Sequence, residues 1–480
     1  MKRSATLKTL RGWLSPLVYL SNNWISLVGV IVVTAATVSW MVFLPITLRG
    51  SALHPYFGIV LYLLLPGIFI GGLLLIPIGI YLNRRRKRAK GEMPTDFPPL
   101  DPHNPELRKL AAFVAGTTFI NIIIASQFSY SAVRYMDTVG FCGQTCHTVM
   151  QPEFTAHQRS PHSRVECVTC HIGPGASWFV RSKFSGAGQV VAVALNNYPR
   201  PIPVPVRNLR PARETCETCH WPQKFGEDRL RDIVSYGEDE SNTVSHTVLM
   251  LHLGGGMSRV GIHGRHLGEG ISVRYYASDE KRQTIPWVEY TAAGKTTVYA
   301  SGNANPDPSQ LRQMDCVDCH NRPTHIYQLP VRAMDQALGT GEISAALPFV
   351  KKQGVAILKQ PYATEQEAEA RIPAALEDFY RNNYPQVYAQ RRDEISRSAK
   401  ALLAIFQHNV FPAMKVTWGT YPNNLGHTDF DGCFRCHDEQ HTAKEGTTIT
   451  QDCSACHNIL ASDEKNPKIL VDLGLVQAAK

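Results

Sequence analysis

Cys167-Val168-Thr169-Cys170-His171 is the stretch on which the reading of this chain turns. The same C-x-x-C-H spacing recurs at Cys216/Cys219/His220, Cys316/Cys319/His320, Cys433/Cys436/His437 and Cys453/Cys456/His457. A variant with one more intervening residue stands first, at Cys142/Cys146/His147. All twelve cysteines of the 480 residues fall in these pairs, each followed at once by histidine. Such a pair forms two thioethers to the vinyl groups of a porphyrin and sets the adjacent histidine against the iron, so the pattern implies six covalently bound haem c groups. With no cysteine left over, structural zinc and a disulfide framework are both poor explanations.

Outward from the motifs, the apolar surplus is concentrated before residue 135. Ile25 to Leu48 is uncharged for 24 residues, about 36 Å as a helix, which spans a bilayer and exceeds the apolar core of a signal peptide. Tyr56 to Leu82 and Leu110 to Val133 are two further uncharged stretches, the last with Asn121 and Gln127 as its notable polar members. Three spans, at about 25–48, 56–82 and 110–133, make a membrane domain of residues 1–134. Lys2, Arg3, Lys8 and Arg11 precede the first, and Arg84 to Arg88 with Lys90 follow the second, whereas the loop between them holds only Arg49 and His54. Basic residues stay on the cytoplasmic side, which puts the amino terminus inside and everything after about Tyr135 in the periplasm, where haem is attached. The expected localisation is the bacterial inner membrane, multi-pass, in contact with membrane lipid.

The formal charge of +9 is not a nucleic-acid footprint, since twelve propionates would bring the reduced holoprotein to about −3. No nucleic-acid partner is expected. Residues 135–230 carry haems one to three so densely that the haems themselves are expected to form the core. Ala176 to Tyr198 reads as a helix, lying at the membrane interface or packing on haem edges. Residues 231–310 read as a β-rich insertion, with strands at Val248–Leu253, Gly270–Ala277, Val288–Tyr290 and Thr297–Tyr299. The Gly254-Gly255-Gly256 run is a loop, because no Lys-Ser/Thr follows to complete a phosphate cradle. Residues 311–330 hold haem four, and helical patterns fill 331–426. There Thr364 with Glu367 resembles a capping box, and Ile395, Ala399, Leu402, Leu403 and Phe406 form an apolar stripe. Haems five and six occupy 427–480. The expected fold class is a membrane-anchored multihaem cytochrome c: three transmembrane α-helices and a haem-packed, mainly α/irregular periplasmic domain with a β-rich insertion.

Six irons have twelve axial positions, and the motif histidines His147, His171, His220, His320, His437 and His457 supply up to six. Ten other histidines lie beyond the third span, of which His162, His263, His325, His427 and His441 are the expected distal ligands. Haem with two axial histidines carries electrons without binding substrate, so the pattern favours a wire over a reductase. None of the three stretches contains a histidine, which leaves no ligand for a haem inside the membrane.

Phe141 to His147 with Met150, Ser160-Pro161-His162 and Cys167 to His171, together with Cys316 to His320 and His325 five residues on, resemble the NapC/NirT/NrfH family of membrane-anchored quinol dehydrogenases. The resemblance covers roughly residues 139–225 and 314–327. The chain departs from that family in its three spans, β-rich insertion and two additional haems, and is similar to enlarged inner-membrane cytochromes of metal-reducing bacteria. The resemblance implies oxidation of menaquinol near haem one. It offers either His147 or Met150 as that haem's ligand, and Lys183 or Arg181 as the basic residue of the quinol site. Asp137 and Glu153 are candidates for its acidic partner. Electrons would pass to a periplasmic redox partner protein. Two alternatives stand beside this reading: a relay subunit of a larger respiratory complex, and a terminal reductase of nitrite, hydroxylamine or a sulfur oxyanion.

Overall fold

The computed structural model describes residues 16–17, 19–48, 64–94, 105–145, 147–206, 209–221, 226–255 and 261–476. The basic residues near the amino terminus, Arg49, His54, His103, the first part of the second expected span (56–63), Cys146 and Gly256 lie outside these, as do the side chains of Asn121 and His147. The chain divides into two units, residues 1–145 and 146–480, so the break falls inside the first haem motif rather than at residue 134.

In the first unit, α1 (Trp24–Leu48) pairs with α2 (Leu65–Ala89), and α3 (Pro105–Asp137) follows. Close approach of α1 and α2 rests on small residues. A Cβ on Gly72 would meet Val33 at 2.9 Å, and one on Gly79 would meet the Ser26 backbone at 2.6 Å. The Ser26 hydroxyl donates to the Ile76 carbonyl at 3.0 Å, a bond across the pair in an otherwise apolar seam. Trp40 of α1 stacks on Phe128 of α3 at 4.2 Å and tilts against Phe69 of α2 at 5.2 Å. Among the described residues two helices, not three, meet the length and apolarity needed to cross a membrane: Trp24–Met41 within α1, and α2. The third expected span, 110–133, lies within the 33-residue α3. A π-helical turn, Phe141–Thr145, carries Cys142 past the end of α3.

The second unit opens with α4 (His147–Gln158), α5 (Cys167–His171), α6 (Ala176–Ala194) and α7 (Ala212–Cys216). Two antiparallel sheets follow. One has the order β1-β2-β8, from Arg229–Tyr236, Val244–Leu251 and His457–Glu464. The other has the order β6-β3-β4-β5-β7, from Arg312–Gln313, Ile271–Tyr276, Trp287–Ala292, Lys295–Ala300 and Thr442–Ala443. The β4–β5 loop is Ala293-Gly294, both at positive φ (51° and 78°), as a two-residue primed turn requires. The β-rich residues 231–310 supply five of the eight described strands, β1 only in part, and the sheets also draw on residues beyond that range. β7 and β8 come from the carboxy-terminal haem segment and complete the two sheets, Leu251 pairing with His457. The strand β1 had no counterpart in the sequence reading, because Arg229, Arg231 and Asp232 interrupt its apolar alternation.

A short helix α8 (Ile262–Leu267) lies between β2 and β3, and α9 (Cys316–Cys319) carries the fourth motif. Helices α10 (Pro330–Gly339), α11 (Val350–Leu358), α12 (Glu365–Asn383), α13 (Pro385–Gln390) and α14 (Arg392–Asn409) then build the largest apolar core among the described residues. Ile372, Tyr380 and Ile395 are fully excluded from solvent there, and Leu402 nearly so. Burial of each such side chain contributes about 1.5–3 kcal/mol. This core is tied to β1 by a buried pair, Lys351 to Asp335 at 2.5 Å, both also bonded to the Tyr236 backbone. The last helix, α15, is Lys468–Asp472.

Candidate haem-ligand sites

Five motif histidines each face a second histidine. His171 lies 6.3 Å from His325 between ring centres, and His220 lies 5.8 Å from His162 with their Nε2 atoms 3.5 Å apart. His320 faces His263 at 6.4 Å with the rings parallel to within 5°. His437 faces His266 at 5.9 Å, and His457 faces His427 at 6.2 Å. Two imidazoles on opposite faces of one metal ion, with bonds of about 2.0–2.1 Å, put their ring centres roughly 6.3 Å apart. The pairs therefore have the separation of axial ligands to a single iron. Among the described residues no group of three or more His, Cys, Asp or Glu gathers as a zinc site would need, and no disulfide joins the eleven described cysteines. The donor set fits haem c.

Hydrogen bonds aim three of these rings, those of His437, His266 and His325. The Nδ1–H of His437 donates to the Thr450 carbonyl at 2.8 Å, and that of His266 to the Ile262 carbonyl at 2.7 Å. A carbonyl only accepts, so each bond fixes the tautomer that leaves Nε2 for a metal. The Nδ1–H of His325 donates to the Glu153 carbonyl at 3.1 Å, with a carboxylate oxygen of the same residue also 3.1 Å away and the buried Arg322 guanidinium 3.3 Å from that carboxylate. Burial pushes His325 down to about 4, against the opposing pull of Glu153, and burial likewise lowers His266. Neutral imidazole is the form that binds a metal.

Four of the five expected distal histidines, His162, His263, His325 and His427, each face a motif histidine. The fifth is corrected. Both ring nitrogens of His441 are occupied, Nδ1 by Asp438 at 2.7 Å and Nε2 by the Ile285 carbonyl at 2.6 Å, so it ties the residue after the fifth motif to the segment that leads into β4. His266, which was not among the expected distal ligands, is the histidine that faces His437. Its signal in the sequence was a three-residue spacing from His263, inside a glycine-rich stretch that reads as a loop. His157 is 6.5 Å from His325, but its Nε2–H donates to the Val165 carbonyl at 3.0 Å. His246 and His252 are bound to Asp232 and Asp228, each at 2.9 Å.

The second to fifth motifs touch one another in chain order. α5 packs on α7, and the α7 amide of Ala212 donates to Asp315, the cap of α9, at 2.9 Å. Asp318, buried between Cys316 and Cys319, accepts from Tyr275 at 2.7 Å and Arg312 at 2.9 Å, which anchors the fourth motif to β3 and β6. Arg435 of the fifth motif donates to the Asp318 carbonyl at 2.7 Å. Phe434 of that motif stacks on His427 at 4.2 Å.

The expected quinol-site residues each have neighbours of their own. Arg181 lies over Trp178 and Lys183 over Phe179, both on α6, no residue of which is buried. Glu153, a candidate acidic partner, is engaged instead by Arg322 and His325. Asp137 closes α3 in the first unit. Met150 packs against the apolar cluster around Val149, Tyr327 and Phe411.

Comparison with known proteins adds one strong likeness. The chain is 40% identical over 453 residues to the cytochrome c-type protein ImcH of Geobacter sulfurreducens, covering 92% of this chain and 89% of that protein. No family model matches the chain. No solved structure matches it.

Proposed function

The chain belongs to the family of the cytochrome c-type protein ImcH, and from that premise we propose that it is a six-haem electron carrier of the bacterial inner membrane that oxidises menaquinol. The five facing histidine pairs carry this reading. A haem with imidazole on both faces has no open position for a substrate, so its chemistry is one-electron transfer. The pairs also weigh against a terminal reductase. The two strongly apolar helices α1 and α2 support membrane anchoring, with α3 proposed as the third crossing and the haem segments as periplasmic.

Haem one is proposed as the point of entry. Cys142 stands five residues past the end of α3, the proposed third crossing, so in the sequence this motif lies closest to the membrane. His147 or Met150 would be its single protein ligand, as the NapC/NirT/NrfH resemblance implies. Menaquinol loses two electrons, one at a time, and releases two protons to the periplasm. Arg181 or Lys183 is proposed to hold the quinol oxygen. The electrons then pass to a periplasmic or partner-bound acceptor.

Cys146→Ala, which removes one thioether of haem one, tests the reading on the detergent-purified chain. Reduction by a menaquinol analogue should be lost while dithionite still reduces the remaining haems. Unchanged quinol reduction in that variant would overturn the assignment.

A further inference from the structure

Helix α8 is short, yet the fold holds it firmly. Gly261 precedes it at φ +95°, where a Cβ would meet Gly254 at 2.6 Å and the His252 carbonyl at 2.7 Å. Only glycine fits that approach. The amides of Ile262 and His263 donate to the carbonyls of His252 and Leu253, each at 2.8 Å, which fastens the helix to the end of β2. His252 in turn donates from its amide to the Cys456 carbonyl at 2.8 Å. On the other side Arg213, next to the third motif, donates to the Leu267 carbonyl at 2.8 Å.

His263 and His266 leave this one turn in different directions. His263 faces His320 at 6.4 Å, and His266 faces His437 at 5.9 Å. Three residues of helix separate the two along the axis by only about 4.5 Å. The motifs they face are joined independently by the bond from Arg435 to the Asp318 carbonyl.

We propose that α8 is a two-iron bridge: His263 is the second axial ligand of the haem on Cys316/Cys319, and His266 that of the haem on Cys433/Cys436. This rests on the multihaem reading above and deepens it. It makes the fourth and fifth haems neighbours held by one rigid turn. The Nδ1–H bond from His266 to Ile262 supports the assignment, because it leaves Nε2 facing His437.

The test uses the full-length, haem-loaded protein with His263→Met and His266→Met made separately. Haem content is counted first by alkaline pyridine spectra, which reads the number of haems without reference to α8. Each variant should then convert one haem from two histidines to histidine and methionine, seen as a new weak absorption band near the red edge of the visible spectrum and as a rise in one haem's potential. The two variants should change different haems. In a Cys433→Ala/Cys436→Ala background, which lacks the fifth haem, His266→Met should change nothing further, whereas His263→Met should still act. Should methionine at 266 block maturation, His266→Ala with and without added imidazole reads the same haem through loss and return of its low-spin signal. His246→Met, whose histidine is held by Asp232, is the control and should leave the spectrum as it was. Unchanged axial signatures in both variants, or the same haem changed by both, would overturn the bridge. A haem count below six would instead overturn the six-haem reading and leave the bridge standing on its own result.

Discussion

The helical segment 330–410 and the haem segments 142–220 and 427–476 belong to one chain but are held together by different physics. The first has some twenty buried apolar residues around Met334, Ile372 and Leu402. In the second, none of the residues of α5 or α6 is buried, and Cys170, Cys219, Cys433 and Cys453 are exposed as thiols. The helical segment can supply its own hydrophobic stabilisation. The haem segments have short helices, tight turns and paired histidines, and so need bound porphyrin to provide the apolar surface that they lack.

The largest expected effect follows directly. In cells unable to attach haem to cysteine, proteolysis of the membrane-bound chain should remove 142–220 and 427–476 first and leave 330–410 protected. Uniform digestion of both regions would break the contrast. A second prediction works from the other side. Lys351→Ala leaves Asp335 charged and unpaired in a dry site, which costs about 3–5 kcal/mol. Hydrogen exchange in α10 and α11 should accelerate strongly while the haem spectrum stays unchanged. Spectral change equal to that of a haem-ligand variant would show that the two regions do not stand apart.

What the sequence disclosed follows the same divide. Regular periodicity made the helices legible: Ile395, Ala399, Leu402 and Phe406 are all buried as one stripe of α14, with Leu403 partly buried beside them. The covalent haem pattern was legible because its spacing is fixed by porphyrin chemistry. Which histidines face the motif histidines was legible only in part, because that depends on the assembled fold. His441 and His266 show this. Both are plausible by position, yet Asp438 and Ile285 occupy one, whereas Ile262 turns the other toward His437. Nothing local in Thr442-Ala443 or His457–Glu464 announced strands whose partners lie about 140 to 220 residues earlier. Pairing at that range is decided by the assembled fold.

A charged pair near a haem should behave unlike Lys351–Asp335. Glu153 lies against His325 Nδ1 and so strengthens that imidazole as an electron donor, which favours the oxidised iron. Glu153→Gln keeps the Nδ1–H bond to the residue's own carbonyl and removes only the nearby charge, an effect of about 1 kcal/mol, or on the order of 45 mV for one electron. One haem's potential should rise by that amount in a spectroelectrochemical titration, with Glu153→Asp restoring part of it. A shift shared by all haems, or none, would reduce Glu153 to an anchor for Arg322.

The smallest effect probes the helical segment at its edge. The Thr364 side chain accepts from the Glu367 amide at 3.1 Å, and the Glu367 carboxylate accepts from the Ala363 amide at 2.7 Å, closing the first turn of α12. Thr364→Ala leaves one helix-start donor without that partner and should cost about 1 kcal/mol. Because Thr364 is exposed and the bond local, hydrogen exchange should quicken in the first turns of α12 and barely elsewhere. The haem potentials should be untouched. If they moved, the segment would be part of the electron path's packing rather than a separately stabilised body.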